Sequence, residues 1–369
     1  MKIALIYDRV NKWGGAERVL LALHKIWPEA PLYTSVYDPM GAPWAKVFRV
    51  FPSFLQGFPL AKSRHEIYPW LMPLAFESFN FDEYEVVISL TSEAAKGIIT
   101  KPKTLHICYC LTPTRYLWSG YEQYFNTPQK KFLSRLPITY LRKWDKIAAN
   151  RPDEYIAISK TVQARIKNYY HRESEVVYPP VDLKKFKILN LKFKIEEKYF
   201  LVVSRLVAYK RADIVIEAFN RLKWNLKIIG RGSEMGRLER MAKKNIEFLG
   251  QLTEEELVSY YQNCQAVIFP QEEDFGLVPI EAQACGKPVI ALKSGGAKET
   301  VVEGKTGYFF YPQTSEALEK AIKSCNIRTL QEENCRKNAE KFSFENFEKN
   351  FKKAIEEKWQ KHTKTIFTP

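Results

Sequence analysis

The chain has 369 residues, 46% apolar and 27% charged, and a formal net charge of +15. That length exceeds one ordinary core and points to two domains, while no apolar run approaches the roughly 20 residues that cross a bilayer, which excludes a membrane-spanning class. The positive charge admits nucleic acid, an anionic membrane surface or phosphorylated small molecules as partners, and the lack of zinc-finger, RNP or K-homology signatures argues against the first.

The N-terminal "MKIALIYD" is too short for a signal-peptide core and meets Asp8, so it reads as a first strand and the protein is expected to be cytoplasmic. Apolar strands and helical stretches then alternate, the pattern of an α/β protein with parallel sheets. The first half predicts strands at "KIALIYD", "PLYTSVY", "KVFRVF", "EVVISL", "TLHICYC" and "EYIAIS". Helices are predicted near Ala16–Ile26, Gln129–Asn150 and Lys160–Tyr170, the second of them interrupted by Pro137. "VVYPPVDLKKF" follows, where Pro179 and Pro180 impose an extended segment.

A second alternating series begins at "YFLVVSRL". It continues with helix Ala212–Leu222, strand "LKIIG", helix Ser233–Lys243, strand "IEFLG" and helix Thr253–Gln262. Strand "QAVIFP", helix Leu277–Cys285, strands "PVIAL" and "GYFFY", and helices from Ser315 onward complete it. Two doubly wound halves are expected, residues 1–180 and 181–344, facing across a cleft. Open parallel sheets bind ligands at the carboxyl ends of their strands, so that cleft is the expected site. The charged amphipathic segment at about 345–369 either crosses back onto the first domain or stands as a solvated terminal helix.

The six cysteines are scattered without a C-x-x-C pair and read as buried free thiols. The five histidines lack metal-ligand spacing, so no metal site is expected. Gly14-Gly15 sits between the first strand and its helix, where backbone can approach a ligand. Arg205 and Lys210 follow the first strand of the second half, where two cations could clamp a diphosphate. "GRGSEMG" resembles a dinucleotide fingerprint but has the wrong spacing and follows the wrong strand. In "PQEEDFGLVPIEAQACGKPVI", Glu273 lies in a loop and Glu281 about one turn into an apolar helix. The amides of Phe275, Gly276 and Leu277 would point at an anion there, and a carboxylate on an apolar helix needs partners such as sugar hydroxyls.

Taken in order, "GGAERV", "WDKIAANRPDEYIAIS", "VVYPPVD", "VVSRLVAYKRADIVIEAFNRL", "EDFGLVPIEAQACGKPVIA" and "GGAKETV" resemble the retaining glycosyltransferases of family four, which have the GT-B fold. The subgroup most similar contains mannosyltransferases of bacterial O-antigen and exopolysaccharide assembly. The resemblance spans nearly the whole chain, and Glu273 and Glu281 form the ends of the family's E-x7-E. It implies that Glu281 holds donor ribose hydroxyls and Glu273 those of the transferred sugar. Arg205 and Lys210 would bind the diphosphate, the amides of Phe275, Gly276 and Leu277 would orient sugar and phosphate, and Gly14-Gly15 would close over the diphosphate. The segment up to Leu252 would border the base, and Leu111 and Arg115 would fall on the acceptor or sugar side. The chain reads "CYCLTP" where relatives commonly read "CYCHTP". Leu111 thus removes a polar contact near the donor sugar and bears on sugar identity.

No D-x-D motif occurs, so Arg205, Lys210 and helix dipoles are expected to hold the diphosphate without a metal or other cofactor. The expected donor is GDP-mannose ahead of UDP-sugars, and the expected acceptor is a glycan or a polyprenyl-diphosphate-linked one. The basic, aromatic-interleaved stretch Lys130–Arg151 allows peripheral contact with an anionic leaflet at the inner face of the membrane. The alternative readings are a UDP-sugar-dependent transferase, a nucleotide-sugar epimerase of the same fold, and a sugar-nucleotide-binding pseudoenzyme.

Overall fold

A computed structural model describes residues 1–187 and 197–367. The chain divides into two compact units, Met1–Pro180 with Phe347–Pro369, and Val181–Asn346.

Unit 1 is built on a seven-stranded sheet: β1 Ile3–Tyr7, β2 Leu32–Thr34, β3 Val50–Pro52, β4 Val86–Thr91, β5 Leu105–Cys110, β6 Glu154–Ala157 and β7 Glu175–Val176. The order is β3-β2-β1-β4-β5-β6-β7, with every pairing parallel. Leu5 sits opposite Leu32 on one side and Ile88 on the other. β1, β4 and β5 are buried along their whole length, which is why they read as continuous apolar runs rather than alternating ones.

Unit 2 is built on a six-stranded sheet: β8 Phe200–Val203, β9 Leu226–Ile229, β10 Ile246–Gly250, β11 Val267–Phe269, β12 Val289–Leu292 and β13 Gly307–Phe310. Its order is β10-β9-β8-β11-β12-β13, again all parallel. Each sheet therefore reverses its winding at one place, between β1 and β4 in unit 1 and between β8 and β11 in unit 2. These are the two Rossmann-like domains that the alternating pattern predicts, and loops at such reversal points are where open α/β sheets bind ligands.

Several local expectations are corrected. Residues Pro43–Val47 form a 3-10 helix and only Val50–Pro52 is strand, because Pro43 opens a helical turn where "KVFRVF" suggests extension. The helix expected at Ser233–Lys243 runs only from Met235 to Met241. Pro137 does not interrupt its helix, which is continuous over Pro128–Ala148; Pro137 is exposed, so its ring and missing N–H strain no packed neighbour.

The C-terminal helix, Phe344–Phe367, packs into unit 1. Phe347, Phe351, Ala354 and Ile355 are buried. Phe351 meets Tyr109 at 4.9 Å and Trp27 at 6.0 Å between ring centres, and Lys358 pairs with Glu175 at 3.1 Å. It is thus not a solvated terminal helix. The six cysteines are free, five buried and Cys325 partly so. Among the described residues, no helix is long and apolar enough to cross a membrane.

Candidate functional site

In unit 2 the reversal between β8 and β11 brings two loops together. The loop after β8 carries Arg205, and a 3-10 turn at Ala208–Lys210 presents Lys210. That turn ends at Arg211, which takes a left-handed conformation (φ 53) and starts the helix Ala212–Leu222. A non-glycine residue there is uncommon, and its guanidinium is held by Asp213 at 3.0 Å. The loop after β11 carries Glu273 and leads into the helix Leu277–Ala284.

Lys210 forms an ion pair with Glu273, 63 residues away in sequence. Both side chains are largely shielded, at 12% and 24% exposure, so solvent screens the pair less than an open surface bridge. Gln271 Nε2 donates to the same Glu273 oxygen at 3.0 Å. The Gln271 side chain is buried, and its Oε1 accepts no hydrogen bond among the described residues. Arg205 donates to Tyr209 Oη at 2.7 Å, and Lys210 lies over the Tyr209 ring, 5.2 Å from its centre. Tyr209 therefore spaces the two cations, a role its sequence position does not announce.

Glu281 sits deeper, at 3% exposure, and accepts a hydrogen bond from Tyr261 Oη at 2.8 Å. Tyr261 belongs to the helix Glu254–Asn263, whose capping box at Thr253 and Glu256 starts it just after half-buried Leu252. The apolar helix thus meets its lone carboxylate's need for partners partly from within the protein. The Leu277–Ala284 helix has no side-chain cap, so its first amides lack both a cap and an intrahelical carbonyl. Its N-cap, Gly276, adopts φ 88, a conformation that favours glycine. Phe275 turns its ring into the unit, edge-on to Phe342 at 5.6 Å. Burial, then the Cys264 thiol and Glu281, push the Cys285 thiol well up, so it stays protonated beside this site.

Two glycine pairs hold these loops. A Cβ on Gly230 would collide with the Ser204 carbonyl, and one on Gly232 with that of Leu206. The loop "GRGSEMG" therefore lies backbone to backbone against Ser204–Leu206, with Leu206 N–H bonded to the Arg231 carbonyl at 2.9 Å. Its glycines serve the Arg205 loop by close packing. Gly295 and Gly296 do the same for the Glu273 loop: Gly296 N–H bonds to the Glu273 carbonyl at 2.8 Å, and a Cβ there would strike Phe275. Ser294 Oγ donates to Glu272 at 2.5 Å, which makes Glu272 a structural anchor of the loop.

The remaining sequence candidates, Gly14, Gly15, Leu111 and Arg115, belong to unit 1. Gly14 is the N-cap of the helix Gly15–Ile26 and has extended backbone (φ −177). Glu17 of that helix is buried and accepts from Tyr7 Oη at 2.6 Å. Leu111 follows β5 and its N–H bonds to the Thr91 carbonyl at 2.8 Å. At the β1–β4 reversal Asp8 accepts from Thr91 Oγ1 (2.8 Å) and from the amides of Ser92 (2.7 Å), Glu93 (3.0 Å) and Ala95 (2.9 Å). Burial, then the nearby Glu93, raise its carboxyl against the lowering effect of those donors. Arg9 pairs with Glu93 at 2.6 Å. Asp8 thus shapes the turn after β4, a part sequence spacing could not reveal because its partners lie over 80 residues on.

Residues 184–342 match the family described as glycosyl transferases group 1. An uncharacterized glycosyltransferase of Methanocaldococcus jannaschii, MJ1178, is 30% identical over 225 residues, which are 58% of this chain and 63% of that relative. A GDP-mannose-dependent alpha-(1-6)-phosphatidylinositol monomannoside mannosyltransferase of Mycolicibacterium smegmatis is 30% identical over 219 residues, 51% of this chain and 56% of that one. The chain thus spans less than two thirds of the length of either relative. Among solved structures, Anabaena Alr3699/HepE in complex with UDP aligns over 97% of this chain and all of its own, with a TM-score of 0.73 at 20% identity. That likeness establishes the shared GT-B fold. Nearly all of unit 2, residues 184–342, is a domain of the group 1 glycosyl transferases.

Proposed function

We propose that the protein is a retaining hexosyltransferase of family four that moves mannose from GDP-mannose to a glycan or polyprenyl-diphosphate-linked acceptor in cell-surface polysaccharide synthesis. The observation that carries this reading is the Lys210–Glu273 pair at the β8–β11 reversal, inside a group 1 glycosyl transferase domain. One cation and one carboxylate placed together suit a donor that is anionic at its phosphates and hydroxyl-rich at its sugar.

In this reading the donor divides the pair. Its diphosphate takes Lys210 and Arg205, and its sugar hydroxyls take Glu273. Glu281 holds the ribose, while Tyr261 keeps that carboxylate in place. The anomeric carbon–oxygen bond to the β-phosphate breaks, and the acceptor oxygen bonds to the same carbon from the same face. The acceptor proton passes to the departing diphosphate oxygen. Negative charge grows on that oxygen as the bond opens, and Arg205, Lys210 and the first amides of the Leu277–Ala284 helix stabilise it in place of a metal. Positive charge grows on the sugar ring beside Glu273. The reaction is placed in the cytoplasm, where nucleotide sugars are available.

The test is calorimetric titration with GDP, UDP and their sugar conjugates. GDP-mannose is expected to bind, and Arg205→Ala with Lys210→Ala is expected to weaken it by about 100-fold or more, since each removes a charge-assisted phosphate contact. Failure of every nucleotide to bind, or undiminished binding by the double variant, would overturn the proposal. Binding of UDP conjugates alone would replace the donor and leave the site standing, an outcome that Leu111 in the "CYCLTP" stretch makes worth measuring.

A further inference from the structure

The helix Pro128–Ala148 has two apolar faces where its fold needs one. Ile138, Leu141, Asp145 and Ala148 turn inward and are buried. At 100° per residue, Phe132, Leu133, Leu136, Tyr140 and Ile147 form a second stripe about 100° wide, centred about 145° from the buried one. They are exposed by 78%, 75%, 82%, 48% and 61%. Large apolar side chains this open on one stripe are a recurring mark of an interaction surface.

The same helix carries Lys130, Lys131, Arg135, Arg142, Lys143 and Lys146. Its one carboxylate, Asp145, is buried and paired with Lys96 at 2.6 Å. Lys143 falls within the exposed apolar stripe, and Arg135 and Lys146 border it. We propose that this second face seats the protein peripherally on an anionic lipid surface, with Phe132, Leu133 and Leu136 entering the boundary between headgroups and acyl chains. Arg135, Lys143 and Lys146 then lie at the depth of the lipid phosphates.

Charge selects this occupant. A second copy docked face to face would set the same cations against one another, with no carboxylate of the stripe to answer them. A lipid surface supplies an apolar layer beneath an anionic one, the order in which the helix presents its own side chains. Pro137 is exposed and leaves the helix unbroken, so the stripe is presented as one continuous surface. The inference is independent of the donor, and donor affinity measured by calorimetry should not change in the variants below.

The test is flotation of the full chain with vesicles of phosphatidylcholine alone and of phosphatidylcholine mixed with phosphatidylglycerol, at low and high salt. Binding to the mixed vesicles is expected, weakened by salt. Phe132→Ser/Leu133→Ser/Leu136→Ser and, separately, Arg135→Glu/Lys143→Glu/Lys146→Glu are each expected to reduce it at least about tenfold. These side chains are exposed, so melting temperature should hold. No partition into the mixed vesicles, or equal partition of the apolar triple variant, overturns the proposal. Self-association in lipid-free solution that the apolar variant abolishes also overturns it, by making a second copy the occupant. So does retention on an acidic protein with none on vesicles.

Discussion

Glu281 is the residue whose surroundings most constrain its role. It is buried on an apolar helix and accepts a hydrogen bond from Tyr261, itself fully buried. Tyr261→Phe removes that donor and keeps the ring. A buried charged acceptor that loses a donor costs about 1.5–3 kcal/mol, so the urea midpoint should fall accordingly, and nucleotide affinity should fall with it if Glu281 holds the ribose. His106 makes a second case. It is buried in β5 with its Nε2 2.9 Å from Ser89 Oγ, and burial, then Arg151 and Arg172, push its pKa down to about 3. A histidine whose folded pKa lies below its unfolded value of about 6.5 stabilises the fold above the unfolded pKa, and that stability is lost as pH falls towards the folded one. From about pH 6.5 downward the unfolded chain binds a proton that the folded chain refuses. Unfolding free energy should then drop by up to about 1.4 kcal/mol per pH unit from this group alone. Urea titrations across that range should show a shallower slope in His106→Gln than in the parent.

At the scale of elements, the site depends on loops pressed against loops. Gly296 shows this most directly, because its N–H holds the Glu273 carbonyl and a side chain there would strike the backbone of Phe275. Gly296→Ala must push the Glu273 loop aside. The expected cost is about 1–3 kcal/mol, with a loss of donor affinity that exceeds what the stability change explains. Calorimetry at a temperature where the variant remains folded separates the two effects. The "GRGSEMG" loop works in the same way for Arg205. Its spacing mimics a cofactor fingerprint, yet the glycines answer to the Ser204 and Leu206 carbonyls of the neighbouring loop.

At the scale of the molecule, the chain ends by returning to its first unit. The C-terminal helix lies against Trp27 and Tyr109 through Phe351, which is fully buried. Phe351→Ala should therefore cost about 3–5 kcal/mol, seen as a lower urea midpoint followed by the fluorescence of Trp27 and its neighbours. An unchanged midpoint would contradict the packing. The net charge of +15 belongs to this scale as well. Part of it concentrates on the Pro128–Ala148 helix, where a plain count of charge could not distinguish nucleic acid, lipid and nucleotide as partners.

By itself the sequence determined the fold class and the glycosyl transferase character of the second domain. Parallel strands buried on both faces leave continuous apolar runs, and helices between them leave a period near 3.6, so alternation alone implies doubly wound sheets. The E-x7-E stretch and the Arg205–Lys210 loop are each compact enough to read in one window. Only the tertiary structure decided that Lys210 meets Glu273, that Tyr261 meets Glu281, and that Gly295-Gly296 support the Glu273 loop. It also decided that Pro137 leaves its helix whole and that the last helix is buried. Apart from that of Pro137, each of those outcomes depends on a partner about 20 to 320 residues away. Sequence spacing reports neighbours along one strand or helix, whereas the partners of a buried charge or ring are chosen by how sheets stack their loops.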